Sequence, residues 1–247
     1  MPRILMHAAY DGSQYKGWQT QPHANTIQDV IEDRLSRLTS QQIRIYGSGR
    51  TDTGVHAEDQ PFHFDLEDEP DLKDLTHRLN RFLPPDIAIT QTRKVHQDFH
   101  ARFDARYRQY RYQITNRKDP LNRHYSYHLY QRIDFDLFQQ GLNEFRGEHD
   151  FRFFCIADEE RSSSICNISF TELKQIHEHF WVVRIGGDRF MKHMVRFIIG
   201  SLIHYASGRM EKELLLQLLS GDSDQPNPAA GAPAKGLILE KVIYPEG

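Results

Sequence analysis

Ile43-Arg44-Ile45-Tyr46-Gly47-Ser48-Gly49-Arg50-Thr51-Asp52-Thr53-Gly54-Val55-His56-Ala57 sets a short apolar run against a loop holding three glycines and one carboxylate. The run Ile43 to Tyr46 predicts a strand. Glycines 47, 49 and 54 predict a tight loop that permits positive φ and lets a ligand approach the backbone. Arg50 can hold the Asp52 carboxylate ionised or clamp a phosphate. The same residues also suit a plain turn in which Asp52 makes an Asx turn and Arg50 is solvated.

Outward from this loop, the pattern predicts a βαββαβ order. Arg3 to Ala9 reads as a strand, and residues 26–38 as a helix with Ile27, Val30, Ile31, Leu35 and Leu38 on one face, capped by Asn25 or Thr26. Pro61 to Leu66 reads as a third strand. Leu72, Leu75, Leu79 and Phe82 mark a second helix, ended by Pro84-Pro85, and Ile87 to Val95 a fourth strand. This is the ferredoxin-like split βαβ arrangement. The second half repeats it loosely: a strand from Arg106 to Thr115, a helix from Asp136 to Phe145, a hairpin of Ile165–Ile176 and Phe180–Ile185, helices over 190–205 and 211–219, and a closing strand from Leu237 to Tyr244. Residues 221–234, rich in Pro, Ala, Gly and Asp, predict a loop rather than core. The expected fold class is α+β, in two ferredoxin-like halves, 1–98 and 99–247.

At 247 residues the chain can bury a sizeable core. Its 31 Lys+Arg and 34 Asp+Glu, net −3, argue against a globally basic nucleic-acid binder. The charge is uneven, however. Residues 102–118 carry Arg102, Arg106, Arg108, Arg111, Arg117 and Lys118 against Asp104 alone, a local field compatible with RNA phosphates. Cys155 and Cys166 make neither a disulfide framework nor a zinc site, and the scattered histidines form no metal motif, so no metal is expected. With no signal h-region and no apolar span, a soluble cytoplasmic protein with reduced thiols is expected.

Arg106-Tyr107-Arg108-Gln109-Tyr110-Arg111-Tyr112 is the second constellation. Strand alternation places Arg106, Arg108, Tyr110 and Tyr112 on one face, and Tyr107, Gln109 and Arg111 on the other. Aromatics offer a surface for a base and arginines engage phosphates. An amphipathic strand with core tyrosines and solvated arginines fits equally well. In residues 190–200, Met191, Met194, Val195, Ile198 and Ile199 have core spacing, which Arg196 interrupts.

The segment Gly49 to Ala57 resembles the active-site motif G-R-T-D-A-G-V-H-A of the TruA family of tRNA pseudouridine synthases, departing only at Thr53. Tyr10-Asp11-Gly12 with Tyr15-Lys16-Gly17-Trp18-Gln19 is similar to that family's opening motif. Gln28, Asn80, Leu83-Pro84-Pro85-Asp86-Ile87, Phe99-His100-Ala101-Arg102-Phe103, Tyr110-Arg111-Tyr112, 190–196, Gly200 and Gly236-Leu237-Ile238-Leu239 match in family order over nearly the whole chain. Phe197 and Ile199 replace the usual asparagine and valine.

The resemblance implies two α+β halves whose antiparallel or mixed sheets join around an RNA-binding cleft. It implies a catalytic set of Asp52, Arg50, Tyr110 and Arg196, with Tyr110 stacking on the target uracil and Arg196 pairing with the aspartate. Arg106, Arg108, Arg111, His56 and Lys16 are expected to contact substrate with Tyr110, although Lys16 also fits ordinary surface. The implied substrate is the tRNA anticodon stem-loop at uridines 38, 39 and 40, and the implied assembly a homodimer. Isomerising uridine involves no net redox change or hydrolysis, so no cofactor is expected. The carboxylate would attack C1′, abstract the 2′ proton or add to C6; each needs Asp52 ionised, which Arg50 and Arg196 would favour.

Overall fold

The computed structural model describes residues 1–156 and 163–245. Among these residues are ten strands and five α-helices, an α+β protein. Contacts divide the chain into two compact units, residues 1–106 with 238–247, and residues 107–237. The last strand thus belongs with the first unit, not with the half that precedes it in sequence.

The first unit begins with β1 (Arg3–Tyr10), α1 (Ile27–Thr39), β2 (Tyr46–Gly47), β3 (His56–Asp65), α2 (Leu72–Phe82) and β4 (Ile87–Val95). β1 pairs antiparallel with both β3 and β4, and β2 pairs antiparallel with β3. α1 forms where expected: Thr26 caps it by accepting from the Asp29 N–H, Ile27, Ile31 and Leu35 are buried, and Ser40 ends it at φ 56°. The Asp71 carboxylate accepts from the Lys73 and Asp74 N–H groups at the start of α2, and the prolines after Leu83 stop the helix.

The predicted strand Ile43–Tyr46 is mostly absent, and only Tyr46–Gly47 pairs. The backbone of the missing part is satisfied by α1 instead. Ser36 Oγ accepts from the Ile43 N–H at 2.9 Å, Glu32 Oε1 accepts from the Ile45 N–H at 2.9 Å, and Gln28 Nε2 donates to the Ile45 carbonyl at 3.2 Å. Ile43 and Ile45 are still buried. β3 starts five residues before the expected Pro61, because Ala57 already pairs with Tyr10.

The second unit contains β5 (Tyr107–Thr115), β6 (Tyr127–His128), α3 (Phe135–Glu144), β7 (Gly147–Asp150), β8 (Ile165–His177), β9 (Phe180–Gly187), α4 (Met194–Ala206) and α5 (Lys212–Ser220). Its sheet runs β5-β9-β8-β7, antiparallel throughout, with β6 parallel to β5 at one end. α4 starts four residues later than the spacing predicts. His193 takes a left-handed φ of 63° there, and residues 190–193 form an approach turn closed by the Met194 N–H on the Met191 carbonyl. Residues 221–233 are irregular, as predicted, yet Ala229 and Ala232 are buried. These two residues pack inward while most of the loop stays at the surface.

The chain ends in β10 (Leu237–Ile243), which pairs in parallel with the start of β3, Ile238 opposite His56 and Leu239 opposite Ala57. No helix among the described residues is long and apolar enough to cross a membrane.

Candidate active site

Asp52 lies in the loop between β2 and β3, half-buried, with Arg50 exposed two residues before it. Main-chain partners hold this loop along its length. Ser48 N–H donates to the Pro61 carbonyl at 2.8 Å, and the buried Gln60 side chain donates to the Gly49 carbonyl at 3.0 Å. Trp18 N–H donates to the Thr51 carbonyl at 3.1 Å, Tyr10 and Thr51 share a hydroxyl bond of 2.7 Å, and Val55 N–H closes the turn on the Asp52 carbonyl at 3.1 Å. Of the three loop glycines only Gly54 takes positive φ, at 76°.

The tightest support comes from residues 12–17. A Cβ on Gly12 would sit 2.0 Å from the Val55 carbonyl oxygen. Gly17, at φ +90°, leaves room for a Cβ only 2.7 Å from the Thr51 carbonyl oxygen. Two backbones therefore meet around Asp52 without side chains between them, which fixes the carboxylate better than a free loop would. His56 is buried and its Nδ1 accepts from the Gly12 N–H at 3.1 Å. It braces the same junction and offers no open surface. Lys16 is exposed beside the loop's support.

In the second unit, Tyr110 occupies the middle of β5 opposite Ile185, half-buried, with its ring edge-on to Phe190 at 5.1 Å. Alternation holds as predicted: Tyr107 donates its hydroxyl to Gln109 Oε1 on one face, while Tyr112 on the other face is fully buried, its hydroxyl on the Pro233 carbonyl at 2.8 Å. Burial pushes the Tyr112 phenol well above its ordinary value. Tyr112 is therefore core, whereas Tyr110 stays partly exposed. The three arginines do not form one stripe. Arg106 is exposed before β5 begins, Arg108 donates to the Asp188 carbonyl at 2.7 Å, and Arg111 faces away from Arg108 and Tyr110.

Arg196 lies in the first turn of α4, half-exposed, and is clamped twice to Ala232, a buried residue of the 221–233 loop. Its Nε donates to the Ala232 carbonyl at 2.8 Å, and the Ala232 N–H donates back to the Arg196 carbonyl at 2.9 Å. With Nε engaged, the guanidinium plane is fixed and its two terminal nitrogens share one orientation. A Cβ on Gly200, one turn on, would sit 2.0 Å from the Ala230 carbonyl oxygen, so that glycine admits the loop.

The description "tRNA pseudouridine synthase" belongs to the family model that matches residues 6–104 and 142–245. The chain is 36% identical over 248 residues to tRNA pseudouridine synthase A of Bacteroides thetaiotaomicron, covering 100% of this chain and 92% of that protein. It is 36% identical over 245 residues to the same-named protein of Bacteroides fragilis, covering 99% and 97%. The chain belongs to the tRNA pseudouridine synthase family.

Lys16, Arg50, Asp52, His56 and Arg196 lie within the segments matched to this tRNA pseudouridine synthase model, whereas Arg106, Arg108, Tyr110 and Arg111 fall between them. Residues that sequence reasoning left without a role now have one. Trp18, Thr51 and Gln60 hold the Asp52 loop, and Phe190 backs the Tyr110 ring. In this chain residues 10–18 thus support the Asp52 loop. Ala232 carried no signal, because it acts through its main chain.

Proposed function

We propose that this chain isomerises uridine to pseudouridine in the tRNA anticodon stem-loop, at positions 38, 39 and 40. Membership of the tRNA pseudouridine synthase family supports the reaction and the RNA class. The observation that carries the assignment of Asp52 is the loop itself, a half-exposed carboxylate held by two backbones in van der Waals contact. The anticodon position, a homodimeric state and a cytoplasmic location rest on the resemblance of the motifs. The first unit's order β4-β1-β3, with β2 across β3, supports a ferredoxin-like half.

The reaction breaks the N1–C1′ bond of the uridine, turns the uracil, and forms C5–C1′. The proton on C5 leaves and N1 gains one, so atoms and electrons balance without a redox partner. Asp52 supplies the carboxylate that acts on the extruded uridine. Tyr110 stacks on the uracil, and its hydroxyl takes part in removing the C5 proton. Arg50 and Arg196 supply the cations of the reaction, and the bond from Arg196 to the Ala232 carbonyl steadies its guanidinium. Arg106, Arg108, Arg111 and Lys16 hold phosphates, and His56 acts through the loop it braces.

Tritium release from [5-³H]uridine-labelled anticodon stem-loops, with the product mapped by position, tests this. Wild type should release tritium and form pseudouridine at 38 to 40, and Asp52→Ala should release none while still binding. Release from ribosomal RNA only would move the substrate, and activity retained by Asp52→Ala would remove the aspartate from the reaction.

A further inference from the structure

Away from the Asp52 loop, four rings form a connected array on the first unit's sheet. The register places His63 opposite Leu5 on β1, with Arg93 opposite Leu5 on the other side, so all three share the face packed by Phe99, Ala101 and Tyr244. Tyr46 lies on His63 with ring centroids 5.1 Å apart at 22°. His63 meets the edge of His100 at 4.7 Å, and His100 meets Phe103 at 4.3 Å. The inner rings are covered, but Tyr46 is 47% and Phe103 70% exposed. The guanidinium of Arg102 stands 5.9 Å from the Phe103 ring centre.

The inner rings hold no positive charge at neutral pH. Burial, then His100 and Arg3, pushes His63 down to about 4, and His100 is lowered mainly by its own burial. His63 Nδ1 accepts the Ala101 N–H at 3.2 Å, which requires that nitrogen to be unprotonated. The rings therefore make a neutral π surface with Arg102 beside its exposed end, suited to the face of a nucleobase with its phosphate toward Arg102. Tyr46 precedes Asp52 by six residues, so at most ~3.5 Å each the two lie within about 20 Å. RNA presenting a uridine to Asp52 spans that distance.

We propose that Tyr46 and Phe103 form a second stacking site, for an unpaired base of the substrate RNA other than the uridine that reacts. This rests on the functional reading above and names how the rest of the RNA is held. Phe103 reaches solvent and touches nothing in the catalytic set, so its variants should fold and turn over normally once saturated with RNA.

The test uses the full chain with tRNA, measuring Kd at fixed salt, turnover at saturating tRNA, and thermal melting. Phe103→Ala and Phe103→Leu should each weaken binding by about 5- to 150-fold, the range for one lost base–aromatic stack. Phe103→Trp should bind at least as tightly as wild type, and Tyr46→Ala, on a separate segment, should show the same loss as Phe103→Ala. Leucine binding as well as phenylalanine would overturn stacking. Unchanged tRNA affinity of Phe103→Ala beside a shift in oligomeric state would give the patch to a second copy of the chain, also overturning it. Wild type that releases no tritium from tRNA defeats the functional reading instead. Wild type that releases it, with Phe103→Ala binding equally well, defeats the stacking site alone.

Discussion

The Asp52 loop and the Arg196 turn solve one problem by different means. Each must hold a charged side chain still at the end of a regular element. The loop does so by contact between two backbones, with Gly12 and Gly17 against Val55 and Thr51. The turn does so by a reciprocal pair of hydrogen bonds between Arg196 and Ala232, 36 residues later. The first device demands glycines at set positions and so leaves a mark in the sequence. The second demands only a main-chain carbonyl and amide, which any residue but proline supplies. Residue identity is thus a good guide to the first kind of support and a poor one to the second.

The largest effect expected from breaking either device is at Gly12. In Gly12→Ala the new methyl meets a carbonyl oxygen at 2.0 Å, so the Asp52 loop must move. Turnover should fall about 100-fold, the scale of an ~1 Å misplacement of a reacting group, with tRNA affinity little changed. Gly200→Ala displaces the Ala230 carbonyl from the same distance and should cost a comparable factor through Arg196. Both are read by tritium release at saturating tRNA with melting curves alongside. Equal melting but undiminished turnover in Gly200→Ala would show that the loop does not set Arg196.

A smaller loss separates charge from aim. Arg196→Lys keeps the cation and gives up the fixed plane and the bond to Ala232. Losing one charge-assisted hydrogen bond is worth ~1.5–3 kcal/mol, so turnover should fall roughly 10- to 100-fold. The lysine should not raise KM, and a rise in KM with unchanged kcat would make Arg196 a binding residue only. Tyr110→Phe tests the neighbouring strand in the same assay. It retains the ring against Phe190 and should lower kcat by at least ~10-fold with affinity preserved. Full activity would leave Tyr110 a stacking role alone.

Where local pattern and local hydrogen bonding agree, the fold was legible. α2, β4 and most of α1 and β5 lie where their apolar periodicity and caps put them. It was not legible where side chains capture a backbone that looks extended. Ile43 and Ile45 have strand character, but Ser36, Glu32 and Gln28 of α1 take their amide and carbonyl groups. The composition of residues 221–234 marks an irregular, largely exposed loop, and it is silent on the two alanines, Ala229 and Ala232, that pack inward from it. The motifs single out Asp52, Arg196 and the segment Phe99 to Phe103, but no pattern joins Phe103 to the exposed Tyr46; the pairing of β2 with β3 sets Tyr46 on His63, and His100 links His63 to Phe103.

His63 yields the smallest effect and the one that separates the two regions by pH. Its ring is neutral because burial, with His100 and Arg3 nearby, holds it at about 4, well under its ordinary value near ~6.5. In the unfolded chain it gains a proton at the ordinary value. Between about pH 6.5 and about pH 4 the unfolded state therefore binds more protons, and stability falls as the pH falls through that window. Below about 4 the folded state protonates too and this contribution stops changing. His100 and His204 are lowered in the same direction, so the wild-type slope is a sum. His63→Gln removes one member of it and still offers a carbonyl oxygen to the Ala101 N–H. Denaturant unfolding across that window should show a shallower slope for His63→Gln than for wild type. Parallel curves would mean that His63 is already protonated in the fold, and that the ring array beneath Tyr46 carries charge after all.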